Sequence, residues 1–417
     1  MSLLNPFSNA FGLDIGDRTF KIVQVDRRGK RKQTYRVTAW NTIDVPEGVM
    51  DRGIIKDMDA AVKYLKKLCG DANGRIHGSA VVACLPEAKT FIKIIEVPKG
   101  SSAEVVREAV RREIEQNIPL PPEDIYSDWQ IIDEKSPSLP SPKALAATDK
   151  KSEVKKAVEE KAESAKNDDA ESAAEEMPSN DDEKPAAMRP NTVRLLMGAA
   201  PKSLVDNYTE LLEKAGLAPI ALEIEATAIS RAIIPLNESA DEAVGILDIG
   251  ATRSSLVIYD SGALQMSISI PISGNDITKL VSESLSVSLV DAEKLKRECG
   301  LDADRCEDKM WNILLPLIDD ITEKIHNALR FYKIGFPAGK KIECLYLCGG
   351  GALFREIDTV LSRKLTIKAQ RGNVFANLSP RLPKAFPKKD EALMYATAIG
   401  LAIRAADENA AHHNSLS

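Results

Sequence analysis

One short pattern occurs twice in this chain, and it limits the fold more than any other feature. Residues 13–16 read Leu-Asp-Ile-Gly, and residues 247–250 repeat the same four letters. The likeness runs on through GLDIGDRTFKIVQVD, ending at Asp26, and ILDIGATRSSLVIYD, ending at Asp260. Each copy predicts an apolar strand, an aspartate, a glycine at a tight turn and a second, alternating strand. The closing turns are Arg-Arg-Gly at 27–29 and Ser-Gly at 261–262. A hairpin repeated at such a distance predicts two copies of one α/β half with a cleft between them.

The chemistry of the hairpin narrows what the cleft could hold. A glycine at the turn lets backbone N–H groups approach a phosphate closely. The aspartate beside it carries the same sign as phosphate, so it fits only with a divalent cation between them, held through water as Mg²⁺ prefers. Two such hairpins facing each other would grip the β- and γ-phosphates from both sides. A single Asp-x-Gly is common at strand ends and needs no more than turn chemistry; the duplicate is what points to a nucleotide. A third glycine cluster, Gly349-Gly350-Gly351, follows the apolar run Cys344–Leu347 and permits close approach of a flat ring or a phosphate. Neither GxGxxG nor GxxxxGK[ST] occurs, so Rossmann and P-loop readings have no support.

Helices are legible around the hairpins. Ser101-x-x-Glu104 predicts a capping box opening a helix with Val106, Val110 and Ile114 on one face, ending before Pro119. Leu204, Tyr208, Leu211 and Ala215 form a second stripe with Gly216 as its cap. Ile313, Leu317, Ile321, Ile325 and Leu329 mark a third. Strands alternate with helices throughout, which favours a mixed α/β sheet fold. At 417 residues and 44% hydrophobic, the chain can bury a large core and divides into two or three domains.

Residues 134–190 stand apart. They hold no aromatic residue and six of the 22 prolines. Such a segment cannot bury enough apolar surface to offset its ordering entropy, so it reads as disordered, with at most a transient helix near 151–176. It lies between strand-like runs at Trp129–Ile132 and Val193–Met197, as an insertion in a hairpin connection. A solvated spacer is the expected role, with a regulatory tether over a neighbouring groove as the alternative suggested by its position. Its charge matters: residues 149–184 carry 13 acidic and 7 basic side chains, which equals the whole net charge of −6. The remainder is neutral, and bulk attraction to nucleic acid is not expected.

No stretch approaches the roughly 18–20 apolar residues of a membrane span. The N-terminal MSLLNPFSNA lacks the basic and apolar regions of a secretory signal. Six scattered cysteines with no CxxC pair predict reduced thiols, not a disulfide framework or a zinc site. His326, on the third helix, is expected to be structural, His412 and His413 belong to a polar tail, and Tyr126 and Trp129 read as packing residues. The basic run Arg27–Lys32 reads as a solvated hairpin tip in preference to a membrane contact.

The order LDIG, LDIG, AEKLK, CGGGA and an Ala/Gly-rich terminal helix resembles the actin-like ATPase superfamily, which takes in actin, heat-shock chaperones, sugar kinases and FtsA. Within it the chain is similar to the PilM family of type IV pilus assembly. The stretches that carry the likeness are GLDIGDRTFKIVQV, VRREIEQNIPLPPEDIYSDWQ, SISIPISGNDITKLVSESLSVSLVDAEKLK and LYLCGGGALF. The second resembles the extra 1C subdomain that FtsA and PilM carry and actin lacks. The resemblance covers nearly the whole chain except 134–190. It implies two ribonuclease-H-like halves around a nucleotide cleft. By that likeness, 10–86 would open the first half (1A), 87–202 would be the 1C-like subdomain and 203–243 would complete 1A. The second half would span 244–391, with 2B at about 276–340, followed by a terminal helix at 392–406 and a tail at 407–417.

Carried over by position, the resemblance implies ATP and Mg²⁺ as cofactors. Asp14 and Gly16 would form the first phosphate loop, with Lys21 as the phosphate-contacting lysine. Asp248, Gly250 and Thr252 would form the second, and Asp14 and Asp248 would hold Mg²⁺ through water. Glu223 would orient the attacking water, with Glu225 as the alternative register of LEIEATA. Glu293 and Lys296 would contact ribose and adenine, and Gly349, Gly350 and Gly351 would close over the base.

Departures from the pattern shape the expected activity. Actin's second loop has an acidic residue where Ala251 stands, and Arg253 follows Thr252. In the first loop Asp17 and Arg18 replace small residues, and Asp17 would repel a phosphate unless it points away. ATP binding with at most slow Mg-dependent hydrolysis is the expectation. By resemblance, the chain is a cytoplasmic adaptor under the inner membrane that captures the N-terminal peptide of a PilN-like protein in a groove formed by roughly 87–133 and 193–202. Pilus motor ATPases and self-association are further implied contacts. The alternatives are a sugar-type kinase, for which no acceptor base is evident, and an FtsA-like cell-division protein, which would need an apolar C-terminal helix face that ADENAAHHNSLS lacks.

Overall fold

The computed structural model describes residues 9–29, 33–132, 192–236, 242–302, 304–306 and 309–414. The insertion 134–190, with its expected disorder, transient helix and tether role, lies outside the described residues, as do the side chains of His412 and His413.

The first half opens with strands β1 (Phe11–Ile15), β2 (Thr19–Arg28) and β3 (Thr34–Asp44). A two-residue hairpin, β4 (Met50–Asp51) and β5 (Ile54–Ile55), leads into helix α1 (Met58–Gly70) and strand β6 (Ala80–Leu85). Next comes β7 (Phe91–Pro98), α2 (Ala103–Asn117), β8 (Ile125–Ile132) and β9 (Thr192–Pro201). Helix α3 (Lys202–Lys214), β10 (Ala218–Ile224) and α4 (Glu225–Ile233) complete this half. The second half runs β11 (Ala243–Ile249), β12 (Ser254–Asp260), β13 (Ala263–Ile270), α5 (Gly274–Leu285), α6 (Leu289–Cys299) and α7 (Lys309–Gly335). It closes with β14 (Ile342–Cys348), α8 (Ile357–Leu365), β15 (Lys368–Arg371) and the long α9 (Ala396–Asn414).

The duplication seen in two hairpins extends to two whole sheets. One has the order β3-β2-β1-β6-β10 and the other β13-β12-β11-β14-β15. In each, three antiparallel strands are followed by two that run parallel to the first. Strands β1, β6 and β11 are apolar along nearly their full length because both faces of each sheet are covered. Helix α9 lies against β1 and α4 so closely that a Cβ on Gly400 would sit 1.8 Å from the Ala228 carbonyl oxygen. One large apolar cluster runs from Val23, Tyr35 and Val37 of the first half through α4 and α9 into the second sheet. The two halves therefore share a core beneath the cleft.

A separate three-stranded sheet of order β7-β9-β8 packs on α2. Strands β8 and β9, on either side of the insertion, pair antiparallel from Ile125–Pro201 to Ile132–Arg194. Helix α2 buries Val106, Val110 and Ile114 as the spacing predicts, each contributing roughly 1.5–3 kcal/mol when fully buried. Its N-cap is Ser102, which accepts from the Val105 N–H; Ser101 instead donates its hydroxyl to the Pro98 carbonyl. Helix α7 buries Met310, Leu314, Ile318, Ile321, Ile325 and Ala328, so its row passes through Leu314 and Ile318 where Ile313 and Leu317 were expected. Ile313 and Leu317 are apolar too, and only the packing partner selects which row faces inward.

Cysteine usage differs from the expectation of reduced thiols. Cys299 and Cys306 form a disulfide with Cα atoms 5.9 Å apart. Two successive turns, from Asp302 N–H to the Cys299 carbonyl and from Arg305 N–H to the Asp302 carbonyl, fold the chain back after α6 and bring the pair together. Cys69, Cys84, Cys344 and Cys348 remain free thiols. No helix among the described residues is long and apolar enough to cross a membrane.

Candidate functional site

The two repeated turns are built alike. Gly16 N–H donates to the Thr19 carbonyl at 3.1 Å, and Gly250 N–H donates to the Arg253 carbonyl at 2.9 Å. A Cβ would lie 2.9 Å from the first carbonyl oxygen and 2.7 Å from the second, which is why both turns carry glycine. Each glycine amide is thus committed to closing its turn, and the glycines shape the loops.

Asp14 and Asp248 occupy the same position in the two sheets. Strand register places Lys21 opposite Asp14, and its Nζ lies 3.1 Å from Asp14 Oδ2. In the second half the register partner of Asp248 is Ser255, so no lysine stands there. Both aspartates have a thiol neighbour on the adjoining parallel strand. Cys84 Sγ lies 3.8 Å from Asp14 Oδ1, and Cys348 Sγ lies 3.6 Å from Asp248 Oδ1. Burial and then the carboxylate charge push both thiols well above their ordinary range, so each is a neutral donor. Burial, followed by repulsion from Asp14, pushes Asp248 up to about 6, against the Cys348 hydrogen bond, Lys21 and Arg253. The two aspartates therefore act on one another across the cleft.

The glutamates at 223 and 225 part company. Glu223 is buried against α9, where Arg231 Nη2 lies 2.6 Å and Arg404 Nη1 3.4 Å from its carboxylate, and Thr227 donates its hydroxyl. Burial raises its pKa, but the two arginines and the hydrogen bonds outweigh that and hold it at about 2. Glu225 opens α4 and faces the cleft. Burial pushes it up to about 8; Arg253 opposes this, while Asp248, Asp14 and Glu87 reinforce it. The expectation for Glu223 is corrected accordingly: its carboxylate is held among arginines beside α9, and Glu225 is the one that senses both loop aspartates.

Three other expected positions differ from the reading of the sequence. The Thr252 hydroxyl is committed across the cleft, donating to Asp17, the aspartate of the opposite loop. Asp17 is buried and also accepts from Gly53 N–H at 2.7 Å, so its charge is directed away from the first turn. Gly349 has φ +77°, and its added Cβ would meet Asp248 Oδ1 at 2.3 Å; one on Gly351 would meet Ile249 Cγ2 at 2.1 Å. Those two glycines pack on the end of β11, and only Gly350 faces open space. Glu293 and Lys296 pair at 2.5 Å on α6, and Lys296 Nζ also donates to the Gly274 carbonyl at 3.0 Å. Gly274 in turn donates its N–H to the Gly250 carbonyl, which brings Lys296 beside the second loop.

Sequence reasoning missed Arg253, Cys84 and Cys348 as members of this cluster. Arg253 was visible as a departure from the loop pattern. The thiols lie at the C-terminal ends of the fourth strand of each sheet, where the repeat no longer shows in the letters.

The residues present suit a metal-bound polyphosphate. Among the described residues, no three His, Cys, Asp or Glu side chains converge as an all-protein cage. Asp14 and Asp248 offer instead the sparse carboxylate set that suits a largely hydrated Mg²⁺. A buried Arg253 Nη1 without a partner awaits an acceptor, and the face of Gly350 is open.

Two copies of one sheet, meeting at paired Asp-Ile-Gly turns over a shared core, define the actin-like ATPase fold. Solved structures of that fold match the chain. One is a PilM-PilN type IV pilus biogenesis complex, with TM-score 0.71, 23% identity and coverage of 96% of this chain and 99% of that one. Another is MreB5 of Spiroplasma citri bound to ADP, with TM-score 0.50, 14% identity and coverage of 97% and 98%. The family model described as type IV pilus assembly protein PilM matches residues 12–174 and 182–406, and the chain belongs to that family. Among curated proteins, cell division protein FtsA of Neisseria meningitidis serogroup B is 30% identical over 132 residues, 32% of this chain and 31% of that protein. FtsA of Bacillus subtilis is 27% identical over 99 residues, 24% and 22%. The chain thus aligns with less than a third of the length of either FtsA.

Proposed function

We propose that this chain binds ATP with Mg²⁺ in the cleft and serves as an adaptor of the pilus machine, held in the cytoplasm at the inner face of the inner membrane by a PilN-like partner. The pairing of Asp14 and Asp248 carries the reading: equivalent positions in two copies of one sheet, coupled through space, each held by a buried thiol. The ADP-bound state of MreB5, a protein of the same fold, adds support.

In this reading Asp14 and Asp248 hold the metal through water, Lys21 balances phosphate charge, and Gly350 and Lys296 border the nucleoside. Bound Mg²⁺ supplies neutralisation of the charge spread over a transferring phosphoryl group. Glu225, at the start of α4 and facing both loop aspartates, is placed to orient a water molecule. Glu223 has no part in that step. The Thr252–Asp17 and Arg253–Glu225 links between the halves favour binding with slow turnover.

The partner surface in this reading is the small sheet. Among the described residues strand β8 pairs only with β9, and Tyr126 and Ile131 on it are 47% and 60% exposed. An extended peptide can add to such an edge by backbone pairing, with pockets for alternate side chains. The naming of the solved relative as a PilM-PilN complex supports the N-terminal segment of a PilN-like protein as that peptide.

Calorimetric titration of the whole chain with Mg·ATP, with and without a peptide copying the first fifteen or so residues of the host's PilN-like protein, tests both halves. ATP binding lost in Asp248→Ala, together with peptide capture, is the expected result. ATP binding without capture would return the kinase and cell-division readings, and no ATP binding would leave the paired hairpins as scaffold.

A further inference from the structure

The side chain of Arg253 leaves the second half and enters the first. Its carbonyl closes the second turn, while its guanidinium reaches Glu225 at 3.5 Å and lies beside Gly53, with Nη1 3.1 Å from where a Cβ of that glycine would stand. Burial opposes its charge, and the carboxylates of Glu225 and Asp17 sustain it. Nη1 is fully buried and has no hydrogen-bond partner among the described residues. A guanidinium presents its donors in a fixed planar fork suited to phosphate oxygens, and a buried donor without an acceptor is costly to keep.

Position along the cleft selects which phosphate. Glu225 is the carboxylate suited to orient an attacking water, and such a group must lie beyond the terminal phosphate. The guanidinium in ion-pair contact with Glu225 therefore lies at that end. Lys296 and Gly350, proposed at the nucleoside, belong to the second half, where Lys296 bonds Glu293, Gly274 and Thr278.

We propose that Arg253 distinguishes a nucleoside triphosphate from a diphosphate, offering its buried, unpartnered Nη1 to the terminal phosphate and its other arm to Glu225. This rests on the nucleotide-binding reading above and adds a residue to it. The same guanidinium joins the second loop to the start of α4, and the Thr252–Asp17 hydrogen bond joins it to the first loop.

The test is the affinity of the full chain for Mg·ATP and for Mg·ADP, measured by calorimetry in the wild type, Arg253→Ala and Arg253→Lys. Removing a charged donor to a phosphate should weaken ATP by roughly 10–100-fold and leave ADP within about threefold, with lysine intermediate because it keeps the charge and loses the fork. Retained ADP binding shows that each variant is folded. An unchanged ratio of ATP to ADP affinity in both variants would overturn the proposal. Tighter ATP binding in Arg253→Ala would also overturn it, by showing that the guanidinium plugs the site. A wild-type chain that binds neither nucleotide would sink the cleft reading itself, and this proposal with it.

Discussion

Glu223 and Glu225 stand two residues apart in opposite electrostatic surroundings. Burial alone would neutralise both, yet Arg231 and Arg404 keep Glu223 ionised down to about pH 2, while Glu225 is pushed up to about 8 beside other carboxylates. A lowered folded-state pKa means that the stabilising contribution is present above the ordinary value of 4.5 and is lost as pH falls towards 2. The shift corresponds to about 3 kcal/mol of stability at neutral pH. Glu223→Gln should therefore lower the urea-unfolding free energy by about that much at pH 7 and by far less near pH 2, while ATP affinity at low temperature stays as in the wild type. Loss of ATP binding in a folded Glu223→Gln would restore Glu223 to the cleft. In sequence the two glutamates are interchangeable. Three charged partners, Arg231, Arg404 and Arg253, separate them, and only folding brings those partners near.

At the scale of elements, α9 shows how little room the fold leaves between its layers. A Cβ on Gly400 would overlap the Ala228 carbonyl of α4, and backbone cannot give way as a flexible side chain can. Gly400→Ala should destabilise the chain by roughly 1–3 kcal/mol, read as a lower urea midpoint with unchanged slope. Gly70, at the end of α1, has open space around it and a negative φ. Gly70→Ala should be neutral or stabilising by about 0.5–1 kcal/mol. Equal effects at the two sites would mean that helix propensity, not the α4–α9 approach, sets the outcome. The link between Cys299 and Cys306 also belongs to this scale. Thiol titration of the denatured, unreduced chain should count the four free cysteines, and a count of six would leave the α6 turn without its covalent tie.

For the whole molecule, the question is what holds the halves together. Beneath the cleft they share one apolar cluster; across it, Thr252 donates to Asp17 and Arg253 pairs with Glu225. Thr252→Val removes one of these links and leaves Asp17 with the Gly53 amide. Exchange of that amide in the nucleotide-free chain should quicken by about tenfold, the effect of roughly 1.4 kcal/mol lost from the closed cleft. An unchanged rate would assign the closure to the shared core alone.

Much of this was legible in the letters. The repeated LDIG hairpin, the spacing of Val106, Val110 and Ile114, and the strands flanking the insertion are local patterns. Local spacing dictates periodicity and turns. What remained hidden depends on groups distant in the chain. The sequence could not show that Cys84 and Cys348 seat the two aspartates, nor that α7 turns Ile318 inward in preference to Leu317. Nor could it show that Thr252 meets Asp17, or that Glu225 rather than Glu223 faces the cleft. Charge and packing act through distance in space, and only the tertiary structure sets those distances.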